Sequence, residues 1–152
     1  MNGIVRFYDR SLAIAGSRLV EGAALFLLRV ALAGVFWRSG RTKVIEGSFL
    51  KIDPSQYDLF RSEFSGLPLD PVIAVPLTVF AEHVFPMLLL FGLATRFSAG
   101  ALLVMTLVIQ IFVFPDAWWP VHSLWAAMAA ILVVRGGGLF SLDALVARMR
   151  AK

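Results

Sequence analysis

Residues 71 to 96 decide the fold: Pro71-Val-Ile-Ala-Val-Pro76-Leu-Thr78-Val-Phe-Ala-Glu82-His83-Val-Phe-Pro86-Met-Leu-Leu-Leu-Phe-Gly92-Leu-Ala94-Thr95-Arg96. From Val72 to Ala94 the run is apolar except for Thr78, Glu82 and His83. Its roughly 23 residues make about 34 Å of helix, enough to cross a bilayer core. An acid and an imidazole sit near its middle. A carboxylate at that depth is tolerated only when paired, protonated or facing water. The stretch therefore predicts a membrane helix with a polar point inside it.

The composition supports that reading. Of 152 residues, 59% are hydrophobic and 16% charged, with a mean hydropathy of +0.82. Soluble domains carry about a quarter charged residues. One membrane domain, residues 1–152, is expected, with no room for a soluble domain beside the apolar runs. The net charge of +4 comes from bases at helix ends. No basic block with interleaved aromatics appears, so nucleic acid is not an expected partner. The chain has no cysteine, which excludes disulfides, thiol redox pairs and Cys-ligated zinc or Fe–S centres.

Outward from the central run, three more spans are predicted, giving an all-α four-helix bundle. The first covers Leu19 to Trp37, with Arg29 about 15 Å into it by helical rise. It ends in the polar cap Arg38 to Lys43. The third runs from Phe97 to Phe114, after a very short turn at Thr95-Arg96, with Gln110 as its strongly polar residue. The fourth runs from Val121 to Val134, with His122 at its mouth and small residues Ala126 and Ala130 suited to close helix contact. Between the third and fourth, Pro115 to Pro120 is a tight aromatic turn whose Trp118 and Trp119 suit a membrane interface.

Shorter helices are expected at the edges. Ile4, Tyr8, Leu12, Ala15 and Leu19 fall at helical spacing, which predicts an interfacial helix before the first span. Asp53-Pro54 starts a short helix, Pro54 to Ser65, with Tyr57, Phe60 and Phe64 on one side, lying against membrane or bundle. Pro76 and Pro86 predict bends rather than a break. Arg135 and the three glycines after it stop the fourth span, and Ser141 caps a final amphipathic helix. The glycines are no phosphate loop, since no strand precedes them and no Gly-Lys-Ser/Thr follows.

Orientation follows the Lys/Arg bias. Eight bases (Arg6, Arg10, Arg18, Arg96, Arg135, Arg148, Arg150, Lys152) share the side of the termini, against Arg38, Arg41, Lys43, Lys51 and Arg61 opposite. Both termini are expected in the cytoplasm, although the Arg38–Lys43 cluster argues the other way. The first apolar run begins late and lacks a small-residue cleavage site, so no cleavable signal peptide is expected.

Arg29 and Glu82 lead the candidate site. Both lie near mid-bilayer, and Glu82 is the charged acceptor within reach of Arg29, so the two are expected to meet inside the bundle. Two readings stay open: an ion pair pinning two helices, or a proton, quinone or substrate site. His83 points about 100° around the helix from Glu82. It is either a proton or metal ligand or a hydrogen-bonded packing residue. Gln110 reads as helix–helix glue or a ligand contact. Lys43, His122 and Trp125 are candidates on the outer face. Two histidines on different spans, without an acid at ligand spacing, do not make a metal site, and the scattered methionines show no copper pattern.

Several motifs together resemble the DoxX-like membrane proteins. Arg29, Gly34, Phe36, Ser39-Gly40 and Lys43 resemble their first-helix signature. Glu82, Pro86, Gly92-Leu93 and Thr95-Arg96 resemble the second, and Gly136 to Asp143 the ending. Thr106 to Gln110, Phe114 to Trp118 and His122 to Trp125 are similar to one branch, which accompanies gene clusters for modified, copper-binding secreted peptides. The Ala117-Trp-Trp-Pro turn departs from it by one extra Trp. The resemblance covers about Leu19 to Leu145. It implies a multi-pass protein of the bacterial inner membrane, and it carries over no catalytic residue. Relatives are linked with a membrane thiosulfate–quinone oxidoreductase and with oxidative-stress complexes. The expectation is an accessory subunit of a redox- or metal-linked inner-membrane assembly. Membrane lipid and a membrane or periplasmic protein are its expected partners, and a homo-oligomer stays open. A quinone-reactive oxidoreductase subunit, with quinone as cofactor, and a small transporter or export helper are the rival expectations.

Overall fold

The computed structural model describes residues 3–151; the side chains of Gly3, Ile4, Ile14 and Ala15, and Met1, Asn2 and Lys152 entirely, lie outside the described residues. The elements are α1 (Gly3–Ala15), α2 (Arg18–Arg41), α3 (Ser55–Ser62), α4 (Pro71–Phe91), α5 (Thr95–Phe112), α6 (Ser123–Arg135) and α7 (Leu142–Arg150). A 3-10 turn, Pro115–Ala117, and a π turn, Trp118–His122, lead into α6. Four helical stretches are long and apolar enough to cross a membrane: Arg18–Arg41, Pro71–Phe91, Thr95–Phe112 and Pro115–Arg135. Among the described residues no strand forms, and Val44 and Ile52 make a lone antiparallel bridge. The fold is therefore all-α and multi-pass.

The four long helices run up and down in sequence order. α2 packs on α4, α4 on α5, α5 on α6, and α6 returns to α2. One end of the bundle carries α1, α7 and the α4–α5 turn, here the terminal end. The other, the loop end, carries α3 and the turn before α6. Leu25, Arg29, Leu32, Ala33, Phe36 and Gly40 form the buried stripe of α2, the spacing of one helical face. Leu25, Leu32, Ala33 and Phe36 meet Leu89, Ala99, Leu102, Ala129 and Leu132 in the core. The outward faces present exposed Leu27, Phe80, Val104 and Ile111, as helices in lipid do.

Several boundaries differ from the sequence expectation. α2 continues past Trp37 to Arg41, because nothing at Arg38 to Gly40 breaks a helix whose polar turn has already left the apolar zone. α4 ends at Phe91 rather than Ala94: Gly92 takes the left-handed cap at φ 67°, where a side chain would be strained. The turn is thus Gly92 to Ala94, and Thr95-Arg96 opens α5 instead of forming the turn. In α6 the close contact falls on Ala129, fully buried with Leu132, while Ala130 is exposed. The face is set by His122, Trp125, Ala129 and Leu132, so the expected Ala126/Ala130 seam is one step out of phase. Pro76 and Pro86 stay inside a continuous α4.

At the loop end, Asp53 Oδ1 accepts from Ser55 N at 2.9 Å and Ser55 Oγ at 2.8 Å. These donors, the backbone one first, hold the Asp53 carboxyl below its usual range. They start α3, which is shorter than the expected Pro54 to Ser65. Phe60 is buried against Ala74 and Val75, with Tyr57, Phe64 and Leu67 around them. The aromatic side of α3 therefore faces the bundle. Trp119 is 83% exposed and Trp118 half-buried. At the other end Phe7, Tyr8 and Leu12 of α1 are exposed. Ile4 and Ala15, the rest of that expected stripe, have side chains outside the described residues.

Candidate functional site

The site begins in the last turn of α2. Thr42 N and Lys43 N donate to the carbonyls of Ser39 and Gly40, which turns the chain back over the helix end. Ile45 N to Lys51 O and Asp53 N to Lys43 O, at 2.9 and 3.0 Å, then fasten the following loop. Lys43 is thereby folded inward, 8% exposed. Gly40 lets α4 come close: a Cβ there would lie 2.8 Å from His83 Cε1 and 3.0 Å from Glu82 Cβ.

Glu82, 2% exposed, finds its partners here. Lys43 Nζ lies 2.8 Å from Oε2 and donates to Oε1 at 3.1 Å. Ser39 Oγ donates to Oε1 at 2.8 Å and accepts from Lys43 Nζ at 2.9 Å. Oε2 is held by charge contact alone, without an aligned hydrogen-bond donor. A buried pair survives its desolvation only with such surrounding hydrogen bonds.

Beside the pair lies a cavity of about 180 Å³. Phe60 of α3, Phe64 just after it, Phe114 and Trp125 form aromatic walls, and Thr78, Ser39, Lys43, Glu82 and His122 are its polar points. His122 is buried, its ring 5.1 Å from that of Trp125. Its Nδ1 lies 2.8 Å from Gln110 Oε1. Gln110 Nε2 in turn donates to the Pro115 carbonyl. A larger depression of about 490 Å³ lies at the terminal end between Arg96, Arg135 and Gly136 to Gly138. The smaller cavity is the candidate site, because it alone of the two borders the buried Lys43–Glu82 pair. Among the described residues no three His, Cys, Asp or Glu side chains come together to hold a metal ion.

The structure brings together Glu82, Lys43, His122 and Trp125, with Gln110 behind His122. It leaves two expected members out. His83 faces away: its Nδ1 lies 2.7 Å from the Val79 carbonyl, and its ring meets Trp37 and Phe49 edge-on at 5.1 and 5.9 Å. It is packed there with Nδ1 hydrogen-bonded and Nε2 buried without a partner among the described residues. Arg29 does not meet Glu82, against expectation. Its Nη1 donates to the carbonyls of Leu89 and Leu90 at 3.0 and 3.2 Å, and Nη2 donates to Phe140 O. The ring of Phe26 lies 5.3 Å from its guanidinium carbon. The expectation failed because it demanded a charged acceptor. The last carbonyls of a helix carry partial negative charge and lack intrahelical donors, and α4 offers them at Arg29's level. Glu82 sits roughly 10 Å of helical rise further along α4 from Leu89.

Arg29 instead belongs to a lock at the terminal end. A Cβ on Gly92 would lie 2.3 Å from Arg29 Nη1 and 2.5 Å from Ser141 Cβ. Asp143 Oδ1 and Oδ2 accept from Ala94 N and Thr95 N, both at 2.8 Å, and Asp143 N donates to Gly92 O at 2.9 Å. Ser141 caps α7 by accepting from Ala144 N at 3.2 Å, as the sequence predicts. Sequence reasoning missed the pairing of Lys43 with Glu82, the part of Ser39, and the place of Phe60 and Phe64 on the cavity wall. The signal was the i, i+4 spacing of Ser39 and Lys43 at the end of a helix.

Residues 24–115 match the model of the DoxX family. A protein of Haemophilus influenzae, described as uncharacterized, is 31% identical over 145 residues, covering 85% of this chain and 87% of its own length. No solved structure matches.

Proposed function

The chain belongs to the DoxX family, and on that premise we propose that it is an accessory subunit of a redox- or metal-linked assembly in the bacterial inner membrane. Both termini face the cytoplasm in this reading. Its working site is the loop-end cavity, where a small ring-shaped ligand is received beside Lys43 and Glu82. The observation that carries the reading is a buried ion pair with an unaligned carboxylate oxygen on the wall of a cavity with aromatic sides. A pair that only joined helices would be served as well by apolar packing. The chain has no cysteine, so thiol or Fe–S electron chemistry rests with a partner.

The test is purification of the tagged chain from host membranes under mild solubilisation. Co-recovery of a membrane or periplasmic partner, with host function lost in a stably folded Glu82→Gln, supports the proposal. A chain recovered alone, with function unchanged in Glu82→Gln, overturns it.

The aromatic walls favour a second reading, a quinone-reactive subunit. The cavity's size suits a single ring, since pockets for drug-sized ligands start near about 300 Å³. Phe60, Phe64 and Trp125 would hold the ring, and a bound quinone would supply the electron acceptor. Quinone in solvent extracts of the purified protein, absent from Glu82→Gln, would support this reading. Extracts without quinone would count against it.

A further inference from the structure

His122 and Gln110 say what kind of ligand the cavity takes. A backbone carbonyl can only accept, so the Pro115 carbonyl fixes which end of the Gln110 amide is the NH₂ group. Gln110 Oε1 then faces His122 Nδ1 at 2.8 Å. An amide oxygen also only accepts, so Nδ1 carries the proton. In the neutral ring Nε2 is left as a bare acceptor.

That nitrogen makes no hydrogen bond among the described residues. It is nevertheless not one of the atoms sealed from a solvent-sized probe, although His122 as a whole is only 3% exposed and lines the cavity. The cluster of Lys43, Ser39 and Glu82 has no free donor to offer it. Lys43 Nζ is engaged with Ser39 and Glu82, and the Ser39 hydroxyl donates to Glu82. Thr78 also lines the cavity, and its hydroxyl rotates to either role. The Trp125 indole N–H and the Thr78 hydroxyl make no hydrogen bond to it although both line the cavity, so the unmet need at His122 is for a donor.

Resting on the reading of this cavity as a ligand site, we infer that it takes a small neutral aromatic compound bearing a hydroxyl, which donates to His122 Nε2. An apolar cavity of about 150 Å³ accepts benzene, so 180 Å³ accommodates one substituted ring. Phe60, Phe64, Phe114 and Trp125 stack around it. Gln110 is the positioning residue: it sets the tautomer and does not touch the ligand.

The protein with ¹⁵N-labelled histidine, in phosphatidylcholine nanodiscs, is titrated with phenol, anisole and toluene, and empty nanodiscs correct for partitioning. Phenol is expected to shift the His122 Nε2 resonance and to bind about fivefold more tightly than anisole, the worth of one neutral hydrogen bond. Anisole and toluene are expected to bind alike, and His83, away from the cavity, to stay unshifted. Gln110→Leu should erase the preference for phenol while anisole still binds, which shows that the variant is folded. Equal binding of all three overturns the donor inference and leaves the cavity reading standing. A preference for phenol that survives in Gln110→Leu overturns the positioning role. No binding of any of the three overturns both the donor inference and the cavity reading.

Discussion

Lys43 Nζ lies 2.8 Å from Glu82 Oε2, joining the exit of α2 to the middle of α4 inside the bundle. The two partners are not equally trapped. Glu82 is 2% exposed, whereas the lysine stem ends at 8% and can swing its charge toward water. Lys43→Met is therefore expected to destabilise by about 3–5 kcal/mol, the cost of stranding a buried charge. Glu82→Leu should cost less, and the double variant should recover part of the Lys43→Met loss. Unfolding in detergent measures all three, and purely additive losses would show that the pair is not coupled.

Arg29 acts separately. Its guanidinium holds the carbonyls of Leu89, Leu90 and Phe140; Leu89 O also accepts from Gly92 N at 3.0 Å, so the other two would be left bare, each at about 1–3 kcal/mol. Arg29→Leu should thus cost about 2 kcal/mol or more on that scale. Combined with Glu82→Leu, the losses should add within about 0.5 kcal/mol, as for sites without shared partners. A coupling well above that, in the same unfolding assay, would restore the direct pairing that the sequence suggested.

The contrast shows what the sequence could express. The four spans, the α7 cap at Ser141 and the helix before α4 were legible because hydrophobic periodicity and caps are local. Glu82 and Arg29 stood out as charged groups at bilayer depth, and Lys43 and His122 as candidates on the outer face. Their pairing was not legible, because depth counted from the ends of an apolar run takes no account of stagger between helices. α2 runs on to Arg41, so its exit rather than its middle faces Glu82. Nor could the sequence show that a helix end would serve Arg29 as acceptor, since backbone partial charges have no letter. The cavity needs α3 folded against α4, a contact between segments joined by a loop of no periodic pattern.

The start of α5 has its cap supplied from a distant part of the chain. Ala94 offers no side-chain hydrogen bond, and Asp143 takes the amides of Ala94 and Thr95 instead. Asp143→Ala should cost about 1 kcal/mol, as for a conventional N-cap. Because Asp143 also ties the C-terminal segment to Gly92, trypsin should cut at Arg148 faster in this variant than in the parent. Unchanged cleavage would mean that Arg29 and Ser141 hold the segment unaided.

The orientation prediction concerns which end faces the cytoplasm. By sequence, eight Lys and Arg lie on the side of the termini and five on the other. The cluster from Arg38 to Lys43 was the objection, since it puts bases at the loop end. One base of that cluster, Lys43, is inside the bundle with Glu82, while Arg41, on the carbonyls of Ser48 and Phe49, stays half-exposed. Burial of Lys43 removes one base from the loop end, and bases near span ends set topology. Ser55→Cys in α3 and Arg148→Cys in α7 are exposed positions at opposite ends of the bundle. In intact cells with a permeable outer layer, a membrane-impermeant maleimide should label Cys at position 55 and leave position 148 unlabelled until the membrane is opened. Labelling of both from outside would break the up-and-down order of the four spans. Labelling of position 148 alone would invert the orientation and put the Glu82 cavity near the cytoplasm.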